Sequence, residues 1–121
     1  MRKTNGVARP PYRSERKYRR FTRRYPVHVM FHIGDSVSEV GAVSKNVSIG
    51  GLLLETASPI PQHSPVRFIM TIHGGPVIRP IQLVGEGMVL RVESYESGAG
   101  FGIAVKCDRP MSQLASYLPA S

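Results

Sequence analysis

The amino-acid sequence predicts an all-β protein, folded as a small antiparallel barrel. Short runs in which apolar and polar residues alternate recur along most of the chain, and glycine or proline often stands between them. The length of 121 residues suits one domain with a single core. Because roughly six or seven such runs occur at the spacing of a closed or nearly closed sheet, we expect a barrel.

The first two runs predict a β-hairpin. Apolar side chains alternate with polar ones from residue 25 to residue 33, which is the period of a half-buried strand. Gly34-Asp35-Ser36 predicts a turn, and residues 37–45 predict the second strand. Within that strand Gly41 indicates a bulge or a close approach of the backbone to a neighbour.

The remaining strands follow a proline-rich connection. Residues 51–56 form a short third run, and Pro59, Pro61 and Pro65 exclude a helix between it and the next strand. The further strands are predicted at residues 66–72, 77–84, 87–92 and 99–107.

Helical spacing occurs only near the C-terminus, in residues 110–118. Met111, Leu114 and Leu118 fall on one face of a helix there, and Asp108 is a suitable N-cap. We expect this short helix to cap the barrel.

The positive charge is concentrated at the N-terminus. Ten of the sixteen basic residues lie in residues 1–24, which hold one acidic residue, Glu15, whereas the whole chain has a net charge of +8. Residues 1–18 also contain few aliphatic side chains and are predicted to be a flexible arm. A basic segment on a nearly neutral body predicts an anionic partner, such as phosphates, nucleic acid or an anionic lipid surface.

No pattern supports catalysis or metal binding. None of the four histidines has metal-ligand spacing from a cysteine or carboxylate, and Cys107 lacks a nucleophile motif. His28 and His32 share a face of the first strand, but on its polar side a solvated role is favoured. We therefore predict that the protein is not an enzyme and carries no metal or cofactor.

The single cysteine and the lack of apolar segments predict a cytoplasmic protein. Cys107 alone cannot form an intramolecular disulfide. No apolar run approaches the roughly 20 residues that span a bilayer, and no hydrophobic stretch of a secretory signal follows the basic N-terminus.

Two polar patterns at strand boundaries favour a phosphate-bearing planar ligand. Arg19 and Arg23 are spaced by four residues around an aromatic, and guanidinium groups bind phosphates bidentately and pair with guanine edges. Asn46 and Ser48 follow the second strand on same-facing positions and offer an amide and a hydroxyl. Gly51 permits close backbone approach or a positive φ.

Together, Arg19-x-x-x-Arg23 and Asn46-x-Ser48-x-x-Gly51 resemble the paired RxxxR and (D/N)xSxxG motifs of PilZ domains. The resemblance extends from about Arg19 to Leu118. It implies a six-stranded antiparallel barrel with a short C-terminal helix at about residues 109–118, a basic arm at residues 1–18, and a domain at residues 19–118 whose arginine loop is residues 19–24.

The resemblance also implies the ligand, cyclic di-GMP, and the residues that bind it. Arg19 and Arg23 would hold phosphates and guanine edges, and Asn46, Ser48 and Gly51 would line the opposite wall. Tyr18, Arg20 and Arg24 would be accessory contacts; the position of Tyr18 influences in this family whether one nucleotide or a stacked pair binds, although packing on the barrel is an equal alternative. Asn46 replaces the more frequent aspartate, which lowers the expected affinity because an amide lacks charge-assisted hydrogen bonds.

The register of the arginine motif is ambiguous in the sequence. Arg16 with Arg20, and Arg20 with Arg24, have the same spacing as Arg19 with Arg23. We favour Arg19 and Arg23, because Arg-Arg-Phe-x-Arg is the form common in PilZ domains.

The predicted function is that of a cyclic di-GMP receptor that changes its surface on binding and acts on a downstream protein. Two alternatives remain: a PilZ-like module that binds proteins without a nucleotide, and a basic barrel that binds nucleic acid non-specifically. The second is disfavoured, because the chain has no tryptophan and its other aromatic residues are scattered.

Overall fold

The computed structural model describes residues 18–75, 77–95 and 98–118. Most of the predicted arm, and Arg16 of one alternative register, lie outside these residues. The described part of the chain forms six strands and one 3₁₀ helix. They are β1 (Pro26–Ile33), β2 (Ser36–Ser48), β3 (Gly51–Thr56), β4 (Pro65–Ile72), β5 (Ile81–Ser94), β6 (Phe101–Cys107) and the 3₁₀ helix Ser112–Tyr117.

The six strands close into an antiparallel barrel in the order β1-β2-β3-β6-β5-β4. Pairing of β4 with β1 completes the ring. The prediction of an all-β barrel is therefore confirmed. The two longest strands, β2 and β5, change register near Lys45 and Leu90, where each has one residue more than its partner. Such bulges bend a strand and help it to follow a closed sheet.

Alternation along each strand separates the core from the surface. On β1, Val27, Val29 and Phe31 are buried, whereas His28 is exposed. Each such side chain contributes about 1.5–3 kcal/mol when it leaves water. The fully buried side chains from the other strands and connections include Leu54, Ile60, Phe68, Met70, Ile72, Val89, Ile103 and Leu114.

The predicted runs at residues 77–84 and 87–92 fall on one strand, β5, which begins at Ile81, so residues 77–80 are not part of it. Gly85 and Gly87 do not interrupt it, because they make room for neighbours inside the barrel. A Cβ at Gly85 would lie 2.4 Å from the ring of Phe68, and one at Gly87 would lie 2.3 Å from the carbonyl oxygen of Lys106.

The interpretation of Gly41 was wrong. Gly41 pairs with His28 in the regular ladder between β1 and β2. Among the described residues, no atom apart from those of its two chain neighbours lies within 4 Å of a Cβ built at this position, so no close approach there requires a glycine. The bulge in β2 falls at Lys45 instead.

The C-terminal helix is shorter and tighter than predicted. It is a six-residue 3₁₀ helix in which Met111, not Asp108, takes the N-cap position, and no side chain caps it. Its apolar side does pack on the barrel as predicted, since Met111 and Leu114 are buried. The amide of Met111 donates a hydrogen bond of 2.8 Å to the carbonyl of Ile49, which ties the segment to the β2–β3 turn. No helix in the described residues is long and apolar enough to cross a membrane.

Candidate functional site

Residues 19–24, here called the arginine segment, run antiparallel to the end of β2. Phe21 and Val47 exchange two backbone hydrogen bonds of 2.8 Å each. Val47 is buried in the core, and its neighbours Asn46 and Ser48 lie on the opposite side of the strand. The two motifs predicted from the sequence are therefore adjacent in the structure.

The far end of the arginine segment is held by Ser44, which is fully buried. The amide of Tyr25 donates a 2.8 Å hydrogen bond to the hydroxyl of Ser44. That hydroxyl donates to the carbonyl of Arg23, and the amide of Ser44 donates to the carbonyl of Tyr25 at 2.9 Å. The backbone on both sides of Arg24 is thus bonded to β2.

Arg19 and Arg23 converge on the ring of Phe21. Their guanidinium carbons lie 5.4 Å and 5.9 Å from the ring centroid, within the range of cation–π contact. Arg23 also donates a 2.8 Å hydrogen bond to the carbonyl of Thr22. The arrangement places two positive charges over one half-buried aromatic ring, in the segment that pairs with β2 at Val47.

Arg24 points to a different partner. Its guanidinium forms an ion pair of 2.8 Å with Glu55 on β3. The hydroxyl of Tyr95 donates to the other carboxylate oxygen at 3.4 Å. The hydrogen bond from Arg24 lowers the pKa of Glu55 below its ordinary value, whereas burial, followed by the charge of Glu55, raises the pKa of Tyr95. Arg20 is exposed and has no side-chain partner among the described residues.

The three residues of the second motif lie together but differ in their surroundings. The hydroxyl of Ser48 accepts a 3.1 Å hydrogen bond from the amide of Gly51 and lies 3.2 Å from its carbonyl, so it stabilises the β2–β3 turn. Asn46 is half-buried, and its side-chain amide has no hydrogen-bond partner within residues 18–75, 77–95 and 98–118. Gly51 is required by close approach, because a Cβ there would lie 2.6 Å from the carbonyl oxygen of Val105.

Tyr18 packs on the β2–β3 turn. A Cβ built at Gly50 would lie 2.7 Å from Cδ2 of the tyrosine ring, so the absence of a side chain at Gly50 makes space for the ring. Of the two roles considered for Tyr18, packing on the barrel is therefore seen; stacking on guanine stays a prediction.

His28 and Cys107 are two of the residues that the sequence analysis considered for metal binding or catalysis. Nε2 of His28 lies 3.0 Å from Oε1 of Glu39 in an exposed pair. Across the described ranges, no group of three or more His, Cys, Asp or Glu residues could hold a metal ion. Burial, with a smaller effect of Asp108, raises the pKa of the Cys107 thiol to about 11, which disfavours the reactive thiolate.

A separate groove lies between β4, β5 and residues 108–113. It is lined by both signs of charge, with Arg67 and Arg109 beside Glu86 and Asp108. Because the charges are mixed, this groove is less suited to an anionic ligand than the arginine segment.

A PilZ domain family model matches residues 15–118 of the chain. The chain belongs to the PilZ domain family. The match covers both motifs and all six strands. No individual curated protein was matched by sequence.

Three solved structures, two of them of PilZ domains, share the fold. The inhibitor of motility MotI/DgrA of Bacillus subtilis has a TM-score of 0.68 at 18% identity, over 84% of this chain and 48% of that one, so the chain spans about half the length of MotI/DgrA. The PilZ domain of CeSA from a cellulose-synthesizing bacterium has a TM-score of 0.50 at 21% identity, over 78% and 86%. The PilZ domain of YcgR from Escherichia coli, solved with c-di-GMP, has a TM-score of 0.50 at 13% identity, over 77% of each chain.

Three residues that shape the site were missed by the sequence analysis: Ser44, Phe21 and Glu55. Phe21 was noted only as an aromatic between arginines, and the pairing with Val47 that gives it a structural role is non-local. Glu55 alternates with buried neighbours on β3, so its carboxylate could have been expected to pair with a cation on the surface. No sequence pattern identifies that cation as Arg24. Ser44 resembles any other small polar residue of a strand.

Proposed function

We propose that the protein is a receptor for cyclic di-GMP and binds it between the arginine segment and the end of β2. The observation that carries this proposal is the Phe21–Val47 pairing. It brings Arg19 and Arg23 to the strand that holds Asn46 and Ser48. A cyclic dinucleotide needs cations for its phosphates and hydrogen-bonding groups for its guanine edges, and these residue types supply both.

The surroundings of the arginines support Arg19 and Arg23 as the ligand-binding pair. Both contact one ring, so their charges can act on one ligand. Arg24 would first have to leave Glu55, which costs free energy. Arg20 is free to add a phosphate contact, whereas Arg24 serves better to hold the segment on β3.

The role in signalling follows from the family. PilZ domains are receptor and adaptor modules rather than enzymes. We infer a protein partner downstream, reached through the surface that includes the arginine segment, and action in the cytoplasm. Binding would change this surface by drawing Arg19 and Arg23 from Phe21 to the ligand.

Isothermal titration calorimetry with cyclic di-GMP tests the proposal, with GTP and linear pGpG as controls. We expect saturable binding that is selective for the cyclic dinucleotide. Replacing both Arg19 and Arg23 with alanine should weaken binding by about 100-fold or more, because each charge-assisted hydrogen bond contributes about 1.5–3 kcal/mol. Arg67→Ala, on the outer face of β4, is the matched control and should bind as the wild type does.

The outcomes separate the candidate functions and registers. A greater loss in the double variant R20A/R24A than in R19A/R23A would assign the ligand to the other register. No heat of binding with folded wild-type protein would favour a protein-interaction module. The local hydrogen bonds of Ser48 favour that second candidate, since its hydroxyl already has partners.

A further inference from the structure

Ser44 is the point at which the arginine segment and β2 lose their regular pairing. Tyr25 lies opposite Ser44, and Phe21 lies opposite Val47. Three residues of the segment therefore face only two residues of β2, Lys45 and Asn46. A regular ladder cannot continue across unequal lengths, and backbone groups there need other partners.

The side chain of Ser44 supplies those partners. A hydroxyl has one proton to donate and can accept at its lone pairs. Here the proton goes to the carbonyl of Arg23, and the oxygen accepts from the amide of Tyr25. The side chain is fully buried, so water cannot readily replace either bond.

We propose that Ser44 is a positioning residue of the cyclic di-GMP site, a role that rests on the proposed function. It fixes the backbone of Arg23 and, with the Phe21–Val47 pairing at the other end, sets where the Arg23 guanidinium stands relative to Asn46. Its burial keeps Ser44 itself from touching a ligand. If the Arg23 guanidinium is displaced, its directional hydrogen bonds to a phosphate become weaker. Removing the Ser44 hydroxyl should therefore lower the affinity for the ligand.

The test compares Ser44→Ala with a variant that loses a buried hydroxyl elsewhere in the barrel. Thr56→Val removes another buried hydroxyl, which donates a 2.7 Å hydrogen bond to the carbonyl of Ser58 and does not contact the arginine segment. Urea unfolding first establishes that both full-length variants are folded at the titration temperature. Calorimetry with cyclic di-GMP should then show binding about tenfold weaker for S44A and within about twofold of the wild type for T56V, because the hydrogen bonds to Arg23 and Tyr25 are lost in S44A only.

Two further readouts separate positioning from a general loss of stability. Ser44→Thr keeps the hydroxyl and should recover most of the affinity that S44A loses. Amide hydrogen exchange without nucleotide should be faster at Tyr25 in S44A than in the wild type, and unchanged there in T56V. Both results are expected if the hydroxyl holds the segment.

The outcomes distinguish this inference from the proposed function. If the wild type binds cyclic di-GMP and S44A binds it equally, the role of Ser44 is overturned and the receptor function stands. Equal weakening by S44A and T56V also overturns it, since stability would then be the cause. If the wild type does not bind, the receptor function and the role of Ser44 in it both fail.

Discussion

At the scale of single residues, Gly51 has a structural reason to be glycine that does not involve a ligand. Its backbone lies against β6, so a Cβ would meet the carbonyl oxygen of Val105 at 2.6 Å. A main-chain carbonyl in a closed barrel cannot move without disturbing its own hydrogen bonds. Gly41 offers a contrast, because it lies in β2 with open space where a side chain would be.

We therefore expect opposite effects of alanine at these two glycines. Gly51→Ala should lower the free energy of unfolding by about 1–3 kcal/mol, the usual cost of overpacking. Gly41→Ala should leave stability unchanged or raise it by up to about 1 kcal/mol, since it reduces the entropy of the unfolded chain. Urea unfolding of both variants makes the comparison. Equal losses would show that the backbone at Gly51 is less confined than its distance to Val105 indicates.

At the scale of structural elements, the arginine segment is attached to the barrel at three places. Phe21 pairs with Val47, Ser44 holds the backbone of Arg23 and Tyr25, and the side chain of Arg24 pairs with Glu55. The first two attachments are to β2 and the third is to β3. The ion pair is the one whose strength depends on pH.

Stability should fall in acid partly through Glu55. The folded protein lowers the pKa of this carboxyl, chiefly through the hydrogen bond from Arg24, so the unfolded chain binds the proton more readily. The contribution is then complete above the ordinary pKa of about 4.3 and is lost as pH falls through the lowered value. The Arg24 side chain is 58% exposed, which limits the contribution to less than about 1 kcal/mol.

Glu55→Gln should remove this part of the acid response. Urea unfolding from about pH 6 to about pH 3 should show a shallower decrease of stability in the variant than in the wild type. Asp35→Asn, in the β1–β2 turn, changes the same charge away from the segment and should keep the wild-type slope. If E55Q lost stability with falling pH as steeply as the wild type, the acid response could not be assigned to Glu55.

The strands could be predicted from sequence because their alternation is local. The division of β5 into two runs was wrong because glycine has two uses: Gly85 and Gly87 make room for Phe68 and β6 instead of ending a strand. The bulge at Lys45 carries no glycine or proline and had no local signal. The site residues could be proposed only as two motifs, since their adjacency depends on the non-local pairing of Phe21 with Val47.

At the scale of the whole molecule, the excess charge is segregated. Ten of sixteen basic residues belong to residues 1–24. Residues 25–121 instead carry six basic and seven acidic residues, so the two signs nearly balance there. The described part of this excess charge lies on the arginine segment, where it attracts anions at long range, and it acts on a cyclic dinucleotide and on nucleic acid alike.

Salt dependence should separate these two ligands. A protein that neutralises about 6–10 phosphates of duplex DNA loses about 10³–10⁵ in affinity between about 50 and 200 mM salt. Cyclic di-GMP has only two phosphodiesters, so its affinity should fall by less than about tenfold over the same range. Calorimetry with cyclic di-GMP and fluorescence anisotropy with a random-sequence duplex measure the two slopes on one protein sample. If binding of cyclic di-GMP were abolished over this range and the R19A/R23A variant lost affinity for the duplex as strongly as for cyclic di-GMP, the charge of the segment would serve non-specific attraction and the cyclic dinucleotide would have no defined site.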